Sequence, residues 1–468
     1  MKKGFKRIGA FLLTAVMTLA MNSTVFAAPV DLTNGEVGGS TTFAKDNPTS
    51  QDKTINIQKE LTVYNVNETT INAPTISYTY AITAGDAGVS VTDATSDHAN
   101  NTAVTVQTKA GTGISDIEIT GQGQTAGTAK IEWSPSETVT AADNGAANYK
   151  TLSIDFSDVV FGAAGVYRYV ITETAPAYAA SGVTETTSTV NPHVRYLDVY
   201  VRPATSGFTN GATAAEWDIY GYVCMLESEE ITDADDTATA GAVKTNGFVA
   251  GSNDGTDYLA DSYYTYNVTV SKTVTNDNYA KATHAFPFTV LFTNATITQA
   301  VDISSTSTGT AGGFTDPASA ALSAGNTKGI LTLKDSSSVK YIGIPNGTQI
   351  EVYETNDMAG VTYQVTTTVD GTDTVDAAVT DTTTPTTAEA QAATKAAYQS
   401  TKATITTTAG ADDDTVHSVA VDNNLQLISP TGFVVRFAPY MLILLGGIFF
   451  ITLGIVLYNQ TNKKETAK

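Results

Sequence analysis

The 468-residue sequence contains only one cysteine and four histidines, and this scarcity excludes two classes of site. One cysteine cannot build a disulfide framework, and so few cysteines and histidines leave no Cys/His zinc site. Only 15% of residues are charged, and 47 acidic against 25 basic residues give a net charge of -22. Because such a surface repels phosphate backbones, we expect no nucleic-acid partner. No phosphate-binding loop or Ser/His/Asp set stands out. We therefore expect that the protein is not an enzyme and that it binds no cofactor or metal.

The N-terminus has the three parts of a secretory signal peptide. Residues 1–7 are basic, Ile8–Met21 is largely apolar, and the small residues that signal peptidase accepts end at Ala27 and Ala28. The apolar run is shorter than the roughly 20 residues that a membrane span needs, which favours a cleaved signal over an anchor. We therefore predict a signal peptide at residues 1–28 and export of the chain.

The C-terminus combines a short motif, an apolar segment and a basic tail. Ala438–Tyr458 has no charged residue and is long enough to cross a bilayer, and Asn459–Lys468 carries three lysines and one acid. Directly upstream of the apolar segment lie Ser429, Pro430, Thr431 and Gly432. The three-part order resembles a Gram-positive cell-wall sorting signal, with Ile428-Ser429 where that family usually has Leu-Pro. A plain membrane anchor is the alternative.

In the sorting-signal family, a sortase cleaves between threonine and glycine and joins the threonine carboxyl group to an amine. The resemblance implies a sortase motif at residues 428–432, with cleavage between Thr431 and Gly432. It also implies that residues 433–468, a transmembrane helix and a basic cytoplasmic tail, are removed on sorting.

Between the two terminal signals the chain has the pattern of an all-β protein. Runs rich in Val, Ile, Thr, Tyr and Phe alternate with clusters of turn residues, as in β-sandwiches. An acidic, Gly-rich stretch, Glu227–Asp257, precedes a new series of runs, so we predict two sandwich domains, at residues 29–265 and 266–427. The best helical signal, Thr387–Gln399, is expected to be a surface insertion. The clearest runs are Thr54–Thr62, Thr75–Ile82, Val166–Glu173, Tyr196–Val201, Asp218–Met225, Tyr266–Lys272, Phe286–Phe292 and Thr362–Val369.

Six ionisable or amide side chains fall on the apolar faces of these runs. In Ile55-Asn56-Ile57-Gln58-Lys59, for example, the lysine shares a face with two isoleucines, because side chains alternate along a strand. In chain order the six are Lys59, Glu173, Asp261, Lys272, Glu354 and Asn423. A single one would be read as a strand-end residue whose polar group reaches water. The same order of types occurring twice indicates a chemical use, since unpaired buried charges are unfavourable.

Burial suggests what that use is. It lowers the pKa of a lysine and raises that of a glutamate, by up to roughly 3–5 units when complete. A neutral amine can then attack the side-chain carbonyl of Asp or Asn while the protonated acid donates to the carbonyl oxygen. The product is an amide cross-link, formed with loss of water from Asp or ammonia from Asn. Such a bond would join the first and last strands of a domain without cysteine.

The segments that carry these residues resemble one known family, and Gly165–Glu173 is the most specific of them. They are similar to the backbone (major) pilins of Gram-positive sortase-assembled pili, the streptococcal FctA-like family with intramolecular isopeptide bonds. The resemblance implies tandem immunoglobulin-like (CnaB-like) β-sandwich domains. The segments are Thr54–Leu61, Leu152–Glu173, Leu259–Thr273, Gly343–Glu354 and Val419–Gly432.

The family's roles carry over residue by residue. They imply two nucleophiles, two isopeptide-promoting acids and two acceptors, which are Lys59 and Lys272, Glu173 and Glu354, and Asp261 and Asn423. The family commonly has Asn where Asp261 stands, and Asp still permits an amide. Asn267 and Asn424 are alternative acceptors, although both fall on the opposite strand face.

Backbone pilins of this family polymerise through an exposed lysine near the end of the first domain. The nearest equivalent is Lys244, for which a solvated loop lysine is an equal alternative. The resemblance implies that the partners are a sortase, other copies of the chain in a covalent polymer, peptidoglycan and minor pilins. It implies an extracellular location, in the cell wall or on the pilus surface of a Gram-positive bacterium.

Two functional hypotheses follow, from different classes. The first is a structural shaft subunit of a surface pilus, stabilised by autocatalytic Lys-Asp/Asn isopeptide bonds. The second is a singly wall-anchored adhesin that binds a host or polymer ligand. An adhesin usually carries a distinct extra domain, and the sequence predicts only two sandwiches, which favours the shaft subunit.

Overall fold

The computed structural model describes residues 53–88, 90–93, 104–163, 165–185, 191–203, 217–226, 245–253, 256–258, 260–315, 319–324, 327–354, 358, 361–375, 379–380, 402–405, 407–408, 415–428 and 430–465. The predicted signal peptide, Lys244, Ser429 and the helical signal at Thr387–Gln399 lie outside these residues. The chain divides into two compact units. Unit 1 is Met1–Tyr64 with Ala73–Tyr263, and unit 2 is Asn65–Asn72 with Tyr264–Lys468.

Strands dominate the described residues, as the alternating sequence pattern predicts. In the N-terminal half they are β1 (Thr54–Tyr64), β2 (Thr70–Asn72), β3 (Ile76–Ala84), β4 (Ser90–Asp93), β5 (Val104–Gln107), β6 (Lys109–Ala110), β7 (Glu118–Gly121), β8 (Lys130–Trp133), β9 (Thr138–Thr140), β10 (Ala146–Asp155), β11 (Gly165–Thr174), β12 (Val183–Thr184), β13 (Val194–Pro203), β14 (Trp217–Met225), β15 (Gly247–Phe248), β16 (Gly251–Asn253) and β17 (Thr256–Tyr258).

The C-terminal half continues with further strands. They are β18 (Asp261–Thr275), β19 (Phe286–Thr293), β20 (Ala300–Val301), β21 (Ser304–Thr308), β22 (Ala311–Thr315), β23 (Ala320–Ala321), β24 (Thr327–Leu333), β25 (Ser337–Pro345), β26 (Gln349–Glu354), β27 (Val361–Val369), β28 (Thr372–Val375), β29 (Val379–Thr380), β30 (Lys402–Ile405) and β31 (His417–Ile428). The helices are α1 (Tyr178–Ser181), α2 (Asn278–Thr283) and α3 (Pro430–Glu465), with 3-10 turns at Ile114–Asp116 and Leu322–Ala324.

Unit 1 is built from two principal sheets. In the first, β1 pairs antiparallel with β10, β10 pairs with β7, and β15 runs parallel to β1. The second has the strand order β14-β13-β11-β3-β8, with β6 beside β11. Alternation along β1 buries Ile55 and Ile57, and the second sheet contributes the buried side chains of Tyr169 and Leu197. Each such side chain stabilises the fold by about 1.5–3 kcal/mol.

Strand β15 approaches β1 more closely than a side chain would permit. A Cβ atom at Gly247 would lie 2.5 Å from the carbonyl oxygen of Gln58, and the φ of Gly247 is 125°. Both conditions require glycine, which alone adopts this backbone conformation without strain. The close approach sets the ring of the next residue, Phe248, 5.9 Å from the Nζ atom of Lys59.

Unit 2 also has two principal sheets, which share one core. Strand β18 lies between β31, which is parallel to it, and β25, which is antiparallel, and β27 pairs on the far side of β31. The second sheet has the order β22-β24-β19-β26-β30. Val268 and Val270 of β18 belong to the same buried cluster as Phe288 and Val352 of the second sheet.

The short segment Asn65–Asn72 belongs to unit 2 although the chain around it belongs to unit 1. Asn65 and Asn267 exchange amide hydrogen bonds, with N···O distances of 3.1 and 2.8 Å. The ammonium of Lys340 donates to Glu68. These contacts are buried or half-buried, and they hold the segment in its unit.

Helix α3 follows almost directly after the last strand. It starts at Pro430, the helix position at which a missing N–H costs no intrahelical hydrogen bond. Its stretch Tyr440–Tyr458 has a mean hydropathy of 2.5, is exposed, and is long and apolar enough to cross a membrane. The predicted all-β class is confirmed in both units, and an apolar helix follows the last strand as predicted.

Candidate cross-linking sites

Three residues from distant parts of the chain meet in the interior of unit 1. The ammonium of Lys59 on β1 lies 2.9 Å from Oε1 of Glu173 on β11 and 2.8 Å from Oδ2 of Asp261 at the start of β18. Their exposed fractions are 4%, 2% and 1%. These are the three residues that the sequence pattern grouped in the first domain, and they form the first cluster.

The fold accounts for this meeting. Lys59 faces inward because it continues the face of Ile55 and Ile57, and β18 lies beside β1 in the sheet. Glu173 is in the second sheet, next to the end of its strand. The lysine and its acceptor therefore lie on neighbouring strands, and the acid reaches them from the facing sheet.

Aromatic rings seal the Lys59 ammonium from water. The centroid of the Tyr78 ring lies 4.1 Å from Lys59 Nζ, and the centroid of the Phe248 ring lies 5.9 Å from the same atom. A cation over a ring face is attracted by the ring quadrupole, and more strongly when water is excluded. The rings thus favour the charged form of Lys59 at this buried position.

Two tyrosine hydroxyls donate to the carboxylates of the first cluster, and on Asp261 the accepting oxygen is the one that Lys59 also contacts. Tyr80 donates to Oε2 of Glu173 at 2.8 Å, and Tyr178, on α1, donates to Oδ2 of Asp261 at 3.2 Å. Burial raises the pKa of both phenols above the ordinary value, and the neighbouring carboxylates raise it further. Both hydroxyls therefore keep their protons and act as donors.

A histidine completes the surroundings of Glu173. Nδ1 of His193 lies 3.2 Å from Oε1 of Glu173, and Nε2 lies 2.8 Å from Oε1 of Glu185. The hydrogen bond to Glu173 raises the pKa of His193, against an opposing effect of burial. The His193 side chain is 18% exposed and that of Glu185 is 46% exposed, so the two connect the buried acid to solvent.

Unit 2 holds a second cluster, of Lys272, Glu354 and Asn423. The ammonium of Lys272 lies 3.2 Å from Oε2 of Glu354, and Nδ2 of Asn423 donates to Oε1 of the same carboxylate at 2.5 Å. The exposed fractions of the three are 1%, 4% and 1%. The sequence pattern again grouped these three residues.

The pairing of β18 with β31, the first long strand and the last strand of unit 2, explains the arrangement. In the parallel pairing of β18 with β31, Lys272 is opposite Val421 and donates to its carbonyl oxygen at 3.3 Å. Asn423 is two residues further along β31, so it shares the inward face. Glu354 ends β26 in the facing sheet. Phe286 covers the ammonium, with its ring centroid 4.6 Å away.

The electrostatics of the second cluster favour a neutral amine. Burial lowers the pKa of Lys272 below its ordinary value, although the Glu354 carboxylate acts in the opposite direction. Oδ1 of Asn423 is buried and accepts no hydrogen bond within the part of the chain that the structure describes. An unsatisfied buried acceptor costs about 1–3 kcal/mol, so this oxygen gains from any proton donor that reaches it.

The two clusters share one plan and differ in one contact. In each, the lysine lies on the first long strand of the unit, the acceptor on an adjacent strand and the acid on the facing sheet. In the first, Lys59 touches Asp261 directly. In the second, the carboxylate of Glu354 bridges the amine and the amide.

The other residues singled out from the sequence lie elsewhere. Asn267 is engaged with Asn65, and Asn424 accepts from Asn276 at 2.9 Å, so both alternative acceptors have structural hydrogen bonds. Pro430, Thr431 and Gly432 form the first turn of α3.

Sequence reasoning missed Tyr80, Tyr178 and His193. Tyr80 follows Ile76 and Tyr78 on an inward face, so alternation could have placed its ring in the core. Its contact with Glu173 depends on the register of β3 with β11, in which the two residues are opposite each other. Tyr178 and His193 lie outside the long strands, and no local pattern marks them.

Comparisons with known proteins found one family and a set of solved structures. A family model described as a domain of unknown function (DUF7601) matches residues 266–406, within unit 2. No curated protein matches the chain. A major pilin (T3.2) of Streptococcus pyogenes is 15% identical, with a TM-score of 0.35 over 81% of this chain and 99% of that one.

Two further solved structures illustrate the range of similarity. A second major pilin structure from Streptococcus pyogenes is 16% identical, with a TM-score of 0.32 over 79% of this chain and 98% of that one. A bacterial adhesin from Mobiluncus mulieris, which contains disulfide, isopeptide and ester cross-links, is 11% identical with a TM-score of 0.21 over 80% of this chain and 100% of that one. Major pilins are also the family that the sequence resembles.

Proposed function

We propose that the chain is the structural shaft subunit of a sortase-assembled surface pilus, and that each of its two units is closed by an intramolecular isopeptide bond. The observation that carries the proposal is the pair of buried clusters, each with a lysine, a carboxylic acid and an acceptor on the same plan. Buried ionisable groups are unfavourable unless they are paired or used, and both clusters have the composition that amide formation requires.

In the first cluster the proposed bond joins Lys59 to Asp261. The Nζ–Cγ bond forms and one Cγ–O bond of Asp261 breaks. The Lys59 ammonium carries three protons, of which one stays on the amide nitrogen and two leave with the oxygen as water. Glu173, 2.9 Å from Nζ, passes protons between the two groups and ends in its initial state. The reaction replaces a buried ion pair by a neutral amide.

In the second cluster the proposed bond joins Lys272 to Asn423. A half-turn of the Asn423 amide presents Oδ1 to a protonated Glu354, which then donates to the oxygen as the neutral amine attacks Cγ. The Cγ–Nδ2 bond breaks, and one amine proton is carried by Glu354 to the nitrogen, which leaves as ammonia. The lowered pKa of Lys272 supports the presence of the neutral amine.

A bond at either position would link the beginning of a unit to its end. In unit 2, β18 and β31 are parallel neighbours, and without a covalent bond the pairing between them is held by hydrogen bonds. Thr431 follows β31 by a few residues, so tension applied there would pass from Asn423 to Lys272 through covalent bonds. A subunit in a polymer that bears load benefits from this path.

The terminal signals support export and surface attachment. We propose that Thr431 is the residue that sortase transfers, to a lysine of another copy or to peptidoglycan, and that α3 retains the chain in the membrane beforehand. Lys244 is the proposed acceptor in the growing polymer. The chain would then lie in the cell wall or on the pilus surface of a Gram-positive bacterium.

The intact mass of the chain from residue 29 to Thr431 tests the cross-links. We expect a deficit of one water and one ammonia, with peptide mapping that joins Lys59 to Asp261 and Lys272 to Asn423. The full unmodified mass would refute both bonds, and loss of ammonia alone would leave only the second.

Assembly is tested separately in a Gram-positive host that expresses the chain with its sortase. Multimers that resist SDS, and that disappear when Lys244 is replaced by alanine, would support a shaft subunit. Lys281→Ala, which removes an exposed lysine of α2, is the control. Monomer linked only to peptidoglycan would contradict polymerisation and favour the singly anchored adhesin.

A further inference from the structure

His193 is hydrogen-bonded to Glu173, the acid of the first cluster, and has no part in the reaction described above. Its ring bridges Glu173, which is buried, and Glu185, which is nearly half-exposed, at 3.2 and 2.8 Å. The ring also lies near that of Tyr178, with centroids 6.4 Å apart. It is therefore placed between the reacting groups and solvent.

The charged and titratable groups that face this pair come from several elements. Glu173 is approached by Lys59 from β1 and by the Tyr80 hydroxyl from β3, and the other face of His193 meets Glu185. Asp261 lies beyond Lys59. Histidine is the side chain whose ordinary pKa lies closest to neutral pH, so His193 sets whether the pair with Glu173 holds a proton.

We propose that His193 keeps a proton on its pair with Glu173, and that formation of the first cross-link therefore depends on pH through this histidine. The inference rests on the proposed isopeptide chemistry. While the pair holds one proton it is neutral, whether the proton sits on Nδ1 or on the carboxyl oxygen. Lys59 is then free to give its proton to Asp261, and Glu173 is available as an acid.

Loss of the proton reverses this situation. The Glu173 carboxylate then has no compensating charge except that of Lys59, so it holds the lysine as an ammonium, which cannot attack Asp261. No proton is consumed overall, since the water that leaves takes both of its protons from Lys59. His193 acts on the reaction through Glu173, and the pair returns to its initial state.

The direction of the pH dependence follows. The reactive form exists below the pKa of His193, which the hydrogen bond to Glu173 raises above the ordinary value. We expect the rate of water loss to fall about tenfold per pH unit above that pKa, because one proton is required. Replacing Glu185 by glutamine removes a negative charge beside His193, lowers its pKa, and should move the decline to lower pH.

The experiment follows bond formation by intact mass. The chain from residue 29 to Thr431 is made by cell-free synthesis, recovered unreacted in denaturant, and diluted into buffers from about pH 5 to about pH 9. Water loss reports the first bond, and ammonia loss from the second bond in the same molecule shows that the chain has refolded. His193→Gln keeps an N–H donor but does not titrate, so its water loss should be independent of pH across the decline.

Each outcome supports or overturns the inference. A flat profile for His193→Gln and a decline at lower pH for Glu185→Gln would support it. The wild-type profile in His193→Gln would overturn it, and if that variant does not fold, an unshifted profile in Glu185→Gln would do so. Absence of water loss from the wild type at every pH would refute the proposed first bond itself, and the inference with it.

Discussion

Replacement of Glu354 by glutamine separates a reactive second cluster from a merely structural one. Glutamine keeps the shape of the side chain but cannot donate a carboxylic proton to Asn423 or carry one to the leaving nitrogen. We therefore expect the Glu354→Gln chain to keep the ammonia that the wild type loses, with the water loss of unit 1 unchanged.

The expected loss of stability comes from the loop that the bond closes. A bond between Lys272 and Asn423 encloses about 150 residues, for which the loop-entropy relation gives about 5 kcal/mol. In a domain of about 150–250 residues, each 1 kcal/mol changes Tm by about 2–4 °C. The melting temperature of unit 2 should therefore fall by about 10–20 °C.

Calorimetry and intact mass, measured on the same samples, provide the test, and two variants serve as controls. Asn423→Asp should lose water in place of ammonia, and its product is the same covalent molecule as the wild-type product, so its Tm must be the same. Asn423→Ala keeps the ion pair of Lys272 with Glu354 but has no acceptor carbonyl. This variant therefore shows the effect of losing the cross-link while the Glu354 carboxylate is still present.

Three results would refute the reasoning. Ammonia loss in Glu354→Gln would show that the acid is not needed. A Tm equal to that of the wild type in Asn423→Ala, without a mass deficit, would show that the bond adds no stability. A lower Tm for Asn423→Asp despite full water loss would contradict the identity of the two products.

Three further predictions concern unit 1. Asp261→Asn should lose ammonia in place of water and give an unchanged product mass, which intact mass spectrometry measures; unchanged water loss would point to another acceptor. Burial raises the pKa of Cys224 to about 12, so iodoacetamide at neutral pH should label the thiol only after unfolding, and labelling of the native chain would contradict its burial. Arg168 donates to both oxygens of Asp198 with both side chains fully buried, so Arg168→Met should lower the free energy of unfolding by about 3–5 kcal/mol in urea titrations. Lys130→Met, which removes a half-exposed ion pair, is the control and should change it by less than about 1 kcal/mol.

Local sequence pattern was sufficient to predict the strands and the direction of the lysines. Alternation with period two assigned Lys59 to the face of Ile55 and Ile57, and both isoleucines and the lysine are buried. The same reasoning applied to Lys272 and Glu354. Side-chain direction along a strand depends only on the backbone geometry of the strand, so it can be read from neighbouring residues.

Tertiary structure alone decided which inward-facing groups touch. The amine of Lys59 meets an acceptor 202 residues away and an acid 114 residues away. The register of β3 with β11 puts Tyr80 on Glu173, and the transfer of Asn65–Asn72 into unit 2 has no counterpart in the local pattern. His193 and Tyr178 come from a turn and a short helix, where no periodicity fixes direction. By itself, then, the sequence determined an all-β chain and the residues of two clusters, because these depend on short-range pattern. Long-range pairing decided the surroundings that control their chemistry.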